Sequence, residues 1–481
     1  MAKYAKETYI LNFLRLTPLV LLLTLTGCIS VPNIEENNVT KFSESKLGNN
    51  EFSLSKMLAH VERAEWWKSF NDDQLNILMD KVLLTNIDTR IAQLNIDKVE
   101  QLANLTNSGN YPTINFDATI QKQKLASQGF APPPLGGTTI NFSQVGLSGS
   151  YNLDLFNKVD NEVASQDLKK QALISQKQAL QLTLSVQTFK LYGYWQYLNE
   201  QKNLYTQQRK ASEQLLSSIE KKVQLGLGTT EEILQIQNLQ KNIDIAIKQI
   251  NINQDTTTSA LLQLTGVVDQ SLIILKPSGI FSKLPTPINS VNSAAIMSRP
   301  DIQAYMFNIE AQRKHLSSLK ADFYPSVSLN GEAGLQKIGL PNLLRSSNVF
   351  ATIMPTISLP IFDSGRIQSN YKIAGVDLNI FIEQYNNTVV QSYYDINDNL
   401  SKVKKNFEIY NIQNSSLKNE NQKLILDQKK YALGKIPQFS MIQSQINYLN
   451  QANQQLNIKF NYFNSHVDLI NALGGVATYK Q

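Results

Sequence analysis

Residue types that commonly carry catalysis are few and scattered in this sequence. Its three histidines are His60, His315 and His466, and Cys28 is its single cysteine. The glycine-containing string LGLGTT, residues 225–230, lacks both the lysine and the spacing of a phosphate-binding loop. We therefore expect no catalytic residues, no metal site and no cofactor, and the chain is not predicted to be an enzyme.

The single cysteine has a defined place near the start of the chain. Three basic residues precede the apolar run LTPLVLLLTLT, which is followed at once by Gly27 and Cys28. A basic start, an apolar stretch of about ten residues and a small-residue cleavage site describe an export signal that is too short to span a membrane. A free thiol beside a cleaved signal is the plainer alternative to any role for Cys28.

The string LTGC, residues 25–28, resembles the lipobox of bacterial lipoproteins. That resemblance implies removal of residues 1–27 as a signal peptide and lipid attachment, including palmitate, at Cys28. Ile29 stands where an aspartate tends to retain enteric lipoproteins at the inner membrane, so the resemblance favours the outer membrane.

Charge and hydropathy exclude two further classes. Lysine and arginine number 45 against 39 acidic residues, and the net charge of +6 is scattered along the chain, so the composition does not indicate nucleic-acid binding. Beyond the signal, no stretch approaches the roughly 18 consecutive apolar residues of a transmembrane helix. Any membrane crossing is therefore predicted to use strands.

The sequence contains one unit twice. The string KKVQLGLGTTEEILQIQ begins at Lys221, and KKYALGKIPQFSMIQSQ begins at Lys429, which is an offset of 208 residues (429 − 221). Tyr111-Pro112 recurs as Tyr324-Pro325, and other landmarks keep the same order. Such self-similarity indicates a duplicated structural unit. We predict an extended segment over 28–65, a first repeat over 66–266, a connector over 267–298, a second repeat over 299–474 and a tail over 475–481.

Each repeat is predicted to contain a helix, a strand hairpin and a long helical hairpin. Proline ends the first helix, because the residue before a proline is pushed toward extended backbone. Alternation of apolar and polar residues follows, and its parity slips near Gln144, which suggests a bulge. A soluble two-layer sandwich could alternate in the same way. Four strands cannot close a barrel, whereas two chains would give about eight strands and three about twelve with a lumen, so a trimer is the economical prediction.

Glycine turns join the long helices. Gly226 and Gly434 each follow a long helix that a residue with positive φ can end, and the next helix begins almost at once. Thr229 and Glu232 form a capping box, and Pro437 suits a first turn. A 3.5-residue apolar period in the last helix predicts left-handed supercoiling against partner helices.

Several strings together resemble the outer-membrane efflux proteins, which are TolC-like channels, and in particular the lipoprotein branch that serves resistance-nodulation-division pumps. These strings are WWKSFNDDQLNIL from Trp66, LPTPINSVNSAAIMSRPDI from Leu284, YNLDLFNKV from Tyr151 and LPIFDSGR from Leu359. The resemblance covers nearly the whole chain. It implies a mixed α/β membrane protein whose two β-hairpins per chain contribute to a trimeric, twelve-stranded outer-membrane barrel, with coiled helical hairpins forming a periplasmic α-barrel.

The resemblance also implies partners and sites. The partners are two further copies of the chain, outer-membrane lipid, a periplasmic adaptor protein and an inner-membrane pump. The docking tips would be Gly226, Leu227, Gly228, Leu433, Gly434 and Lys435, and the aperture would be lined by Glu231, Glu232, Ser440 and Gln443. In TolC, two acids after the second glycine turn ring the constriction, and Ser440 and Gln443 replace them here. We therefore expect weaker ion selectivity that depends on Glu231 and Glu232.

The predicted function is a passive exit duct for small molecules and drugs in a tripartite, multidrug-resistance efflux system. Two alternatives remain at this point. One is a TolC-like duct of a protein secretion system, and the other is a structural coiled-coil lipoprotein of the outer membrane. The second explains the helices and Cys28 but leaves two strand hairpins at matching places unexplained.

Overall fold

The computed structural model describes residues 30–39, 65–129, 131, 133–268, 274–287 and 294–475. The predicted signal peptide, Cys28 and most of the predicted tail lie outside these ranges. Contacts divide the chain into two compact units, one drawn from ranges 1–39, 96–172 and 305–384, and one from 40–95, 173–304 and 385–481. Each unit takes segments from both predicted repeats, and the helices Lys158–Gln224 and Arg366–Ala432 contribute residues to both units.

The described chain is mostly helical. A 3-10 turn, Trp66–Phe70, precedes helices α1 and α2, strands β1 and β2, helices α3 and α4, a one-turn helix α5, helix α6, strands β3 and β4, and helices α7 and α8. Their bounds are Asp73–Thr85 (α1), Ile87–Asn107 (α2), Thr113–Lys124 (β1), Thr139–Leu153 (β2), Lys158–Gln224 (α3), Thr230–Thr265 (α4), Ala294–Met297 (α5), Pro300–Lys320 (α6), Ser326–Ile338 (β3), Val349–Ser358 (β4), Arg366–Ala432 (α7) and Gln438–Ala472 (α8). No helix in the described ranges is long and apolar enough to span a lipid bilayer.

The first unit contains one antiparallel sheet in the order β1-β2-β3-β4. Alternation puts Phe116, Leu147, Ala333 and Ile353 on an apolar face, while Asp117, Gln144 and Glu332 belong to a polar face. Both faces of the edge strands β1 and β4 are largely exposed in the single chain. Among the described residues, each of the two edge strands, β1 and β4, pairs with one strand, and its outer edge has no strand partner.

The predicted bulge near Gln144 is wrong. Residues 139–150 of β2 pair one for one with β1, and residues 142–153 pair one for one with β3, without an inserted residue. The parity of the apolar residues slips because Phe142 belongs to the polar face, where Ile338 is its direct partner in β3. An apolar cross-strand pair therefore replaces the bulge at this end of the sheet.

Residues 30–39, which are neither helix nor strand, lie along α7 within the first unit. The Asn37 backbone N–H donates to Asn379 Oδ1 at 2.8 Å, and Asn379 Nδ2 donates to the Glu35 carbonyl at 2.9 Å. Ile34 lies over Gly375, where an added Cβ would be 2.6 Å from Ile34 Cδ1. Gly375 therefore provides the slot into which the segment packs.

Aromatic rings dominate the core of the second unit. Phe189 of α3 stacks on Phe463 of α8 with ring centroids 5.0 Å apart, and Trp66 and Phe70 pack on Phe189. Gly193 makes room for this cluster, because an added Cβ would lie 2.3 Å from Phe463 Cε1. Most residues of the predicted apolar stripe of α8 are buried, so the apolar period marks the packed face of that helix.

The RPD string ties the start of α6 to the end of α8. Arg299 Nη1 donates to the Ala472 carbonyl at 2.7 Å, and its guanidinium also pairs with Asp301. The last carbonyls of a helix lack partners within the helix, and a cation is favoured there. Arg299 therefore caps the C-terminus of α8.

Candidate functional site

The first glycine turn ends α3 in a Schellman arrangement. Gly226 has φ +71°, its N–H donates to the Val223 carbonyl at 2.9 Å, and the Leu227 N–H reaches back to the Lys222 carbonyl at 3.0 Å. These two bonds satisfy carbonyls that the helix end would leave without partners. The predicted turn is confirmed.

The helix after this turn starts with the predicted capping box. Thr229 Oγ1 accepts from the Glu232 N–H at 3.3 Å, and Glu232 Oε2 accepts from the Thr229 N–H at 3.1 Å. Lys222 Nζ donates to the other Glu232 oxygen at 2.7 Å. The hydrogen bond from Lys222, and then the one from Thr229, lower the pKa of Glu232. The carboxylate of Glu232 is therefore committed to the turn and to a lysine.

The second glycine turn repeats the first. Gly434 has φ +67°, its N–H donates to the Tyr431 carbonyl at 2.8 Å, and the Lys435 N–H donates to the Lys430 carbonyl at 2.8 Å. Pro437, predicted within the first turn of the next helix, instead occupies the N-cap position with φ −73° and ψ 159°. Its extended ψ takes it out of the helix, and its carbonyl accepts from the Ser440 N–H at 3.1 Å.

Both turns are exposed tips. Leu225, Leu227 and Leu433 are large apolar residues that stand in solvent, and nothing lies within 4 Å of a Cβ added to Gly226 or Gly434. Lys435 is exposed as well, and Gly228 is half-buried. Exposed leucines at the end of a long helical hairpin are available to another protein.

The two tips lie beside each other in the second unit. Lys222 Nζ is 5.2 Å from the centroid of the Phe439 ring, and Ser218 Oγ donates to Gln438 Oε1 at 3.2 Å. Behind them, buried apolar residues of α3 and α8 form one cluster, namely Ala211, Leu215, Ile219, Ile442 and Ile446. Lys222 therefore joins both tips through an ion pair on one side and a cation–π contact on the other.

The predicted aperture residues differ in what they contact. Glu231 is exposed and its carboxylate accepts from Gln235 Nε2 at 3.3 Å. Gln443 is exposed and donates to Asn447, while Ser440 is half-buried. The structure thus brings Glu232 to Lys222 and leaves Glu231 as the more accessible acid.

The sequence analysis did not predict two interactions, namely the ion pair of Lys222 with Glu232 and the hydrogen bond between Asp427 and Ser444. Ser444 Oγ donates to Asp427 Oδ2 at 2.6 Å, and this bond is the main cause of a lowered pKa for Asp427. The available signal was spacing, since Lys222 and Glu232 flank a glycine turn and must meet if the two helices are antiparallel. Among the described residues no group of three or more His, Cys, Asp or Glu side chains could hold a metal ion.

Comparison with known proteins adds to this geometry. The family model described as "Outer membrane efflux protein" matches residues 78–267 and 291–475. The multidrug resistance outer membrane protein MdtQ of Escherichia coli O157:H7 is 25% identical over 429 residues, which is 86% of this chain and 88% of that protein.

Two solved structures share the fold. A membrane protein from Pseudomonas aeruginosa superposes with a TM-score of 0.77 at 20% identity, covering 93% of this chain and 97% of that one. The open state of the MtrE outer membrane channel from Neisseria gonorrhoeae has a TM-score of 0.74 at 20% identity, covering 94% and 99%.

Proposed function

Because the chain belongs to the outer membrane efflux protein family, we propose that it is the exit duct of a tripartite efflux system. In this proposal three copies join their sheets into one barrel in the outer membrane, and their helical hairpins enclose a periplasmic conduit. The duct performs no covalent chemistry. Small molecules enter from an adaptor and an inner-membrane pump and leave passively.

The observation that carries the proposal occurs in both repeats. In each, one long helix joins a strand that has an apolar and a polar face to an exposed glycine turn. Helix α3 begins five residues after β2 and ends two residues before Gly226, and α7 likewise runs from just after β4 to just before Gly434. A helix of 67 residues is about 100 Å long if straight. Each repeat therefore joins a strand hairpin to a glycine turn through one continuous helix of 67 residues.

The proposal assigns Cys28 as the lipid attachment site. Gln368 Nε2, at the start of α7, donates to the carbonyl of Ser30, two residues after Cys28, at 3.4 Å. This contact supports an anchor close to the place where β4 ends and α7 begins. Mass spectrometry of the mature N-terminus should find an acylated Cys28, and an unmodified thiol there would contradict the anchor.

The tips are assigned as the adaptor-docking site. Leu227 and Lys435 are exposed at the two turns, so a photo-crosslinking residue at either position should capture a periplasmic adaptor in cells. The same residue at Val268, which is also exposed but lies outside the tips, serves as the matched control. Equal capture at Val268 would contradict docking at the tips.

Transport itself is tested by deleting the gene and measuring dye and drug accumulation. We expect accumulation to rise in the deletion strain and to return to its original level when the full-length chain is expressed again. The assembled protein should also migrate as an oligomer on a gel until it is boiled in SDS. Unchanged accumulation together with monomeric migration would contradict an efflux duct.

A further inference from the structure

The charged residues of the sheet are sorted by sign between its two faces. The four strands contain five of them, namely Asp117, Lys122, Lys124, Glu332 and Lys337. Alternate residues of a strand share a face, so the three lysines belong to the apolar face and the two acids to the polar face. All three lysines lie next to the loops that join β1 to β2 and β3 to β4. The apolar face therefore ends in a cluster of cations, which we call the lysine edge.

The lysine edge is compact. Lys122 and Lys124 are two residues apart on β1, which is about 7 Å. Lys337 is opposite Ser143, and Ser143 is opposite Ile120, so Lys337 lies two strands from β1 at the level of Ile120. With strands about 4.8 Å apart, the Cα atoms of Lys337 and Lys122 are separated by about 12 Å. Three ammonium groups on flexible stems can therefore reach one anionic ligand.

The sequence around the lysine edge contains no acid. Residues 118–143 and 333–350, which include both loops, have no aspartate or glutamate, and Arg345 adds an exposed cation in the second loop. Lys337 Nζ donates to the Pro341 carbonyl at 2.7 Å, which leaves two of its three N–H groups for other acceptors. Like charges at this spacing repel one another unless an anion lies among them.

The lysine edge stands where the apolar face reaches the height of a membrane. Along β2 that face extends from Leu153 to Ser143, a difference of ten residues (153 − 143) and about 34 Å of strand. A tilt of about 40° converts this length to about 26 Å of height, which matches the apolar band of about 25 Å in outer-membrane barrels. Lys337, opposite Ser143, is at the boundary of that band, and Lys122 and Lys124 lie beyond it.

Exposed leucines accompany the cations. Leu340 and Leu344, in the loop between β3 and β4, are 56% and 81% exposed. Asn348 Nδ2 holds this loop, because it donates to the Asn342 carbonyl at 2.8 Å and to the Leu343 carbonyl at 3.0 Å. A ligand that combines anionic groups with acyl chains matches this mixture of cations and apolar side chains.

We propose that the lysine edge binds the phosphate groups of lipid A, the phosphorylated glycolipid of the outer leaflet of the outer membrane. The inference rests on the proposed duct, in which the apolar face contacts lipid and the helices lie in the periplasm. The loops are at the end of the sheet opposite the helices, so they lie at the outer leaflet. The lysine stems extend along the apolar band while their ammonium groups reach the phosphates.

Native mass spectrometry of the full-length oligomer in detergent, titrated with purified lipid A, measures this contact. The variant combines Lys122→Gln, Lys124→Gln and Lys337→Gln. A lysine near an anionic lipid surface contributes about fivefold to affinity, so this triple glutamine variant should bind lipid A about a hundredfold more weakly. Binding equal to that of the unaltered protein overturns the proposal.

The matched control removes three exposed lysines of α4 and α7, by Lys241→Gln, Lys248→Gln and Lys418→Gln. It lowers the net charge by the same amount and should bind lipid A as the unaltered protein does. Equal weakening in this control overturns the assignment to the lysine edge.

A second variant keeps the charges of the lysine edge, by Lys122→Arg, Lys124→Arg and Lys337→Arg. It should retain most of the affinity for lipid A, because guanidinium groups also bind phosphate. A loss as large as that of the triple glutamine variant overturns a contact that depends on charge.

Two further lipids test the identity of the ligand. Lipid A from which both phosphates have been removed should bind the unaltered protein as weakly as intact lipid A binds the triple glutamine variant. Phosphatidylglycerol, an anionic glycerophospholipid, should also bind more weakly than lipid A. Equal affinity for phosphatidylglycerol and lipid A overturns the assignment to lipid A.

Failure of this inference differs from failure of the proposed duct. A triple glutamine variant that forms the SDS-resistant oligomer and binds lipid A as tightly as the unaltered protein overturns the lipid contact and leaves the duct in place. An unaltered chain that forms no oligomer and does not change drug accumulation overturns the duct, and the lipid contact with it.

Discussion

At the residue scale, the two neighbouring glutamates of the first tip have different electrostatic roles. Glu232 caps its helix and pairs with Lys222, whereas Glu231 contacts only the side-chain amide of Gln235 among the contacts of its carboxylate that the structure describes. A carboxylate beside an ammonium group contributes little net field to passing ions. We therefore expect Glu231, rather than both acids, to set the ion selectivity of the channel.

We predict that Glu231→Gln lowers the cation preference of the channel more than Glu232→Gln does. The reversal potential across a salt gradient in planar bilayers measures this for the two matched single variants. Unchanged selectivity in the double variant would contradict any role for either acid. A larger effect of Glu232→Gln would contradict the assignment to Glu231.

The pKa of Glu232 also gives the tip a pH dependence. Because the folded-state pKa lies below the ordinary value, the ionised group stabilises the turn above that value and this stabilisation is lost as pH falls through the lowered pKa. Amide exchange at Leu227 to Glu232, corrected for its intrinsic rate, should therefore accelerate in acid. Lys222→Met should weaken that dependence, and an identical profile in the variant would contradict the ion pair.

The titration of His466 makes the folded protein more stable at neutral pH than in acid. Burial lowers the pKa of His466 to about 4 from its usual 6.5. As pH falls below 6.5 the unfolded chain takes up a proton and the folded chain does not, so stability is lost between pH 6.5 and 4. The loss is at most about 3.5 kcal/mol at about 1.4 kcal/mol per pKa unit.

His466→Phe is the variant that tests this. It keeps a ring against Tyr462, whose centroid lies 4.6 Å from that of His466, but removes the titrating group. Thermal unfolding followed by helical circular dichroism at about pH 7.5 and about pH 5 should show a smaller loss of stability in the variant. The same loss in both proteins would place the acid sensitivity elsewhere.

At the scale of the element, Gly193 shows why a helix-breaking residue stands inside α3. Alanine has the higher helix propensity by about 1 kcal/mol, yet its Cβ would meet Phe463 Cε1 at 2.3 Å. Overpacking of a dense core usually costs about 1 to 3 kcal/mol. We predict that Gly193→Ala lowers the thermal stability and that Phe463→Leu in the same chain partly restores it. Stabilisation by Gly193→Ala alone would contradict the contact.

In this chain, local sequence signals predicted where the helices end more successfully than they predicted contacts between elements far apart in sequence. Gly226, Gly434 and the Thr229 capping box were predictable because each turn satisfies its own helix end. The slot that Gly193 provides for Phe463 was not, because it depends on two helices far apart in sequence meeting at one point. The bulge was predicted wrongly for the same reason, since Phe142 on the polar face is explained by Ile338 in another repeat.

At the scale of the whole molecule, the proposed duct requires the tips to bind an adaptor protein. The exposed side chains of the tips are not needed to stabilise the fold. Leu227 and Leu433 are exposed and follow turns that backbone bonds hold, so a charge at these positions leaves the helices intact. An adaptor surface that receives two leucines would instead have to bury an unpaired carboxylate, which is costly. Docking and assembly can therefore be separated by mutation.

We predict that Leu227→Asp with Leu433→Asp abolishes most drug efflux while the oligomer keeps its resistance to SDS before boiling. Val268→Asp, at an exposed apolar residue outside the tips, is the matched control and should leave efflux unchanged. Drug accumulation in cells and gel migration of the extracted protein report the two properties separately. If efflux persists in the double variant, the leucines do not carry docking. If the oligomer is lost, the tips take part in assembly, and adaptor docking cannot be their sole role.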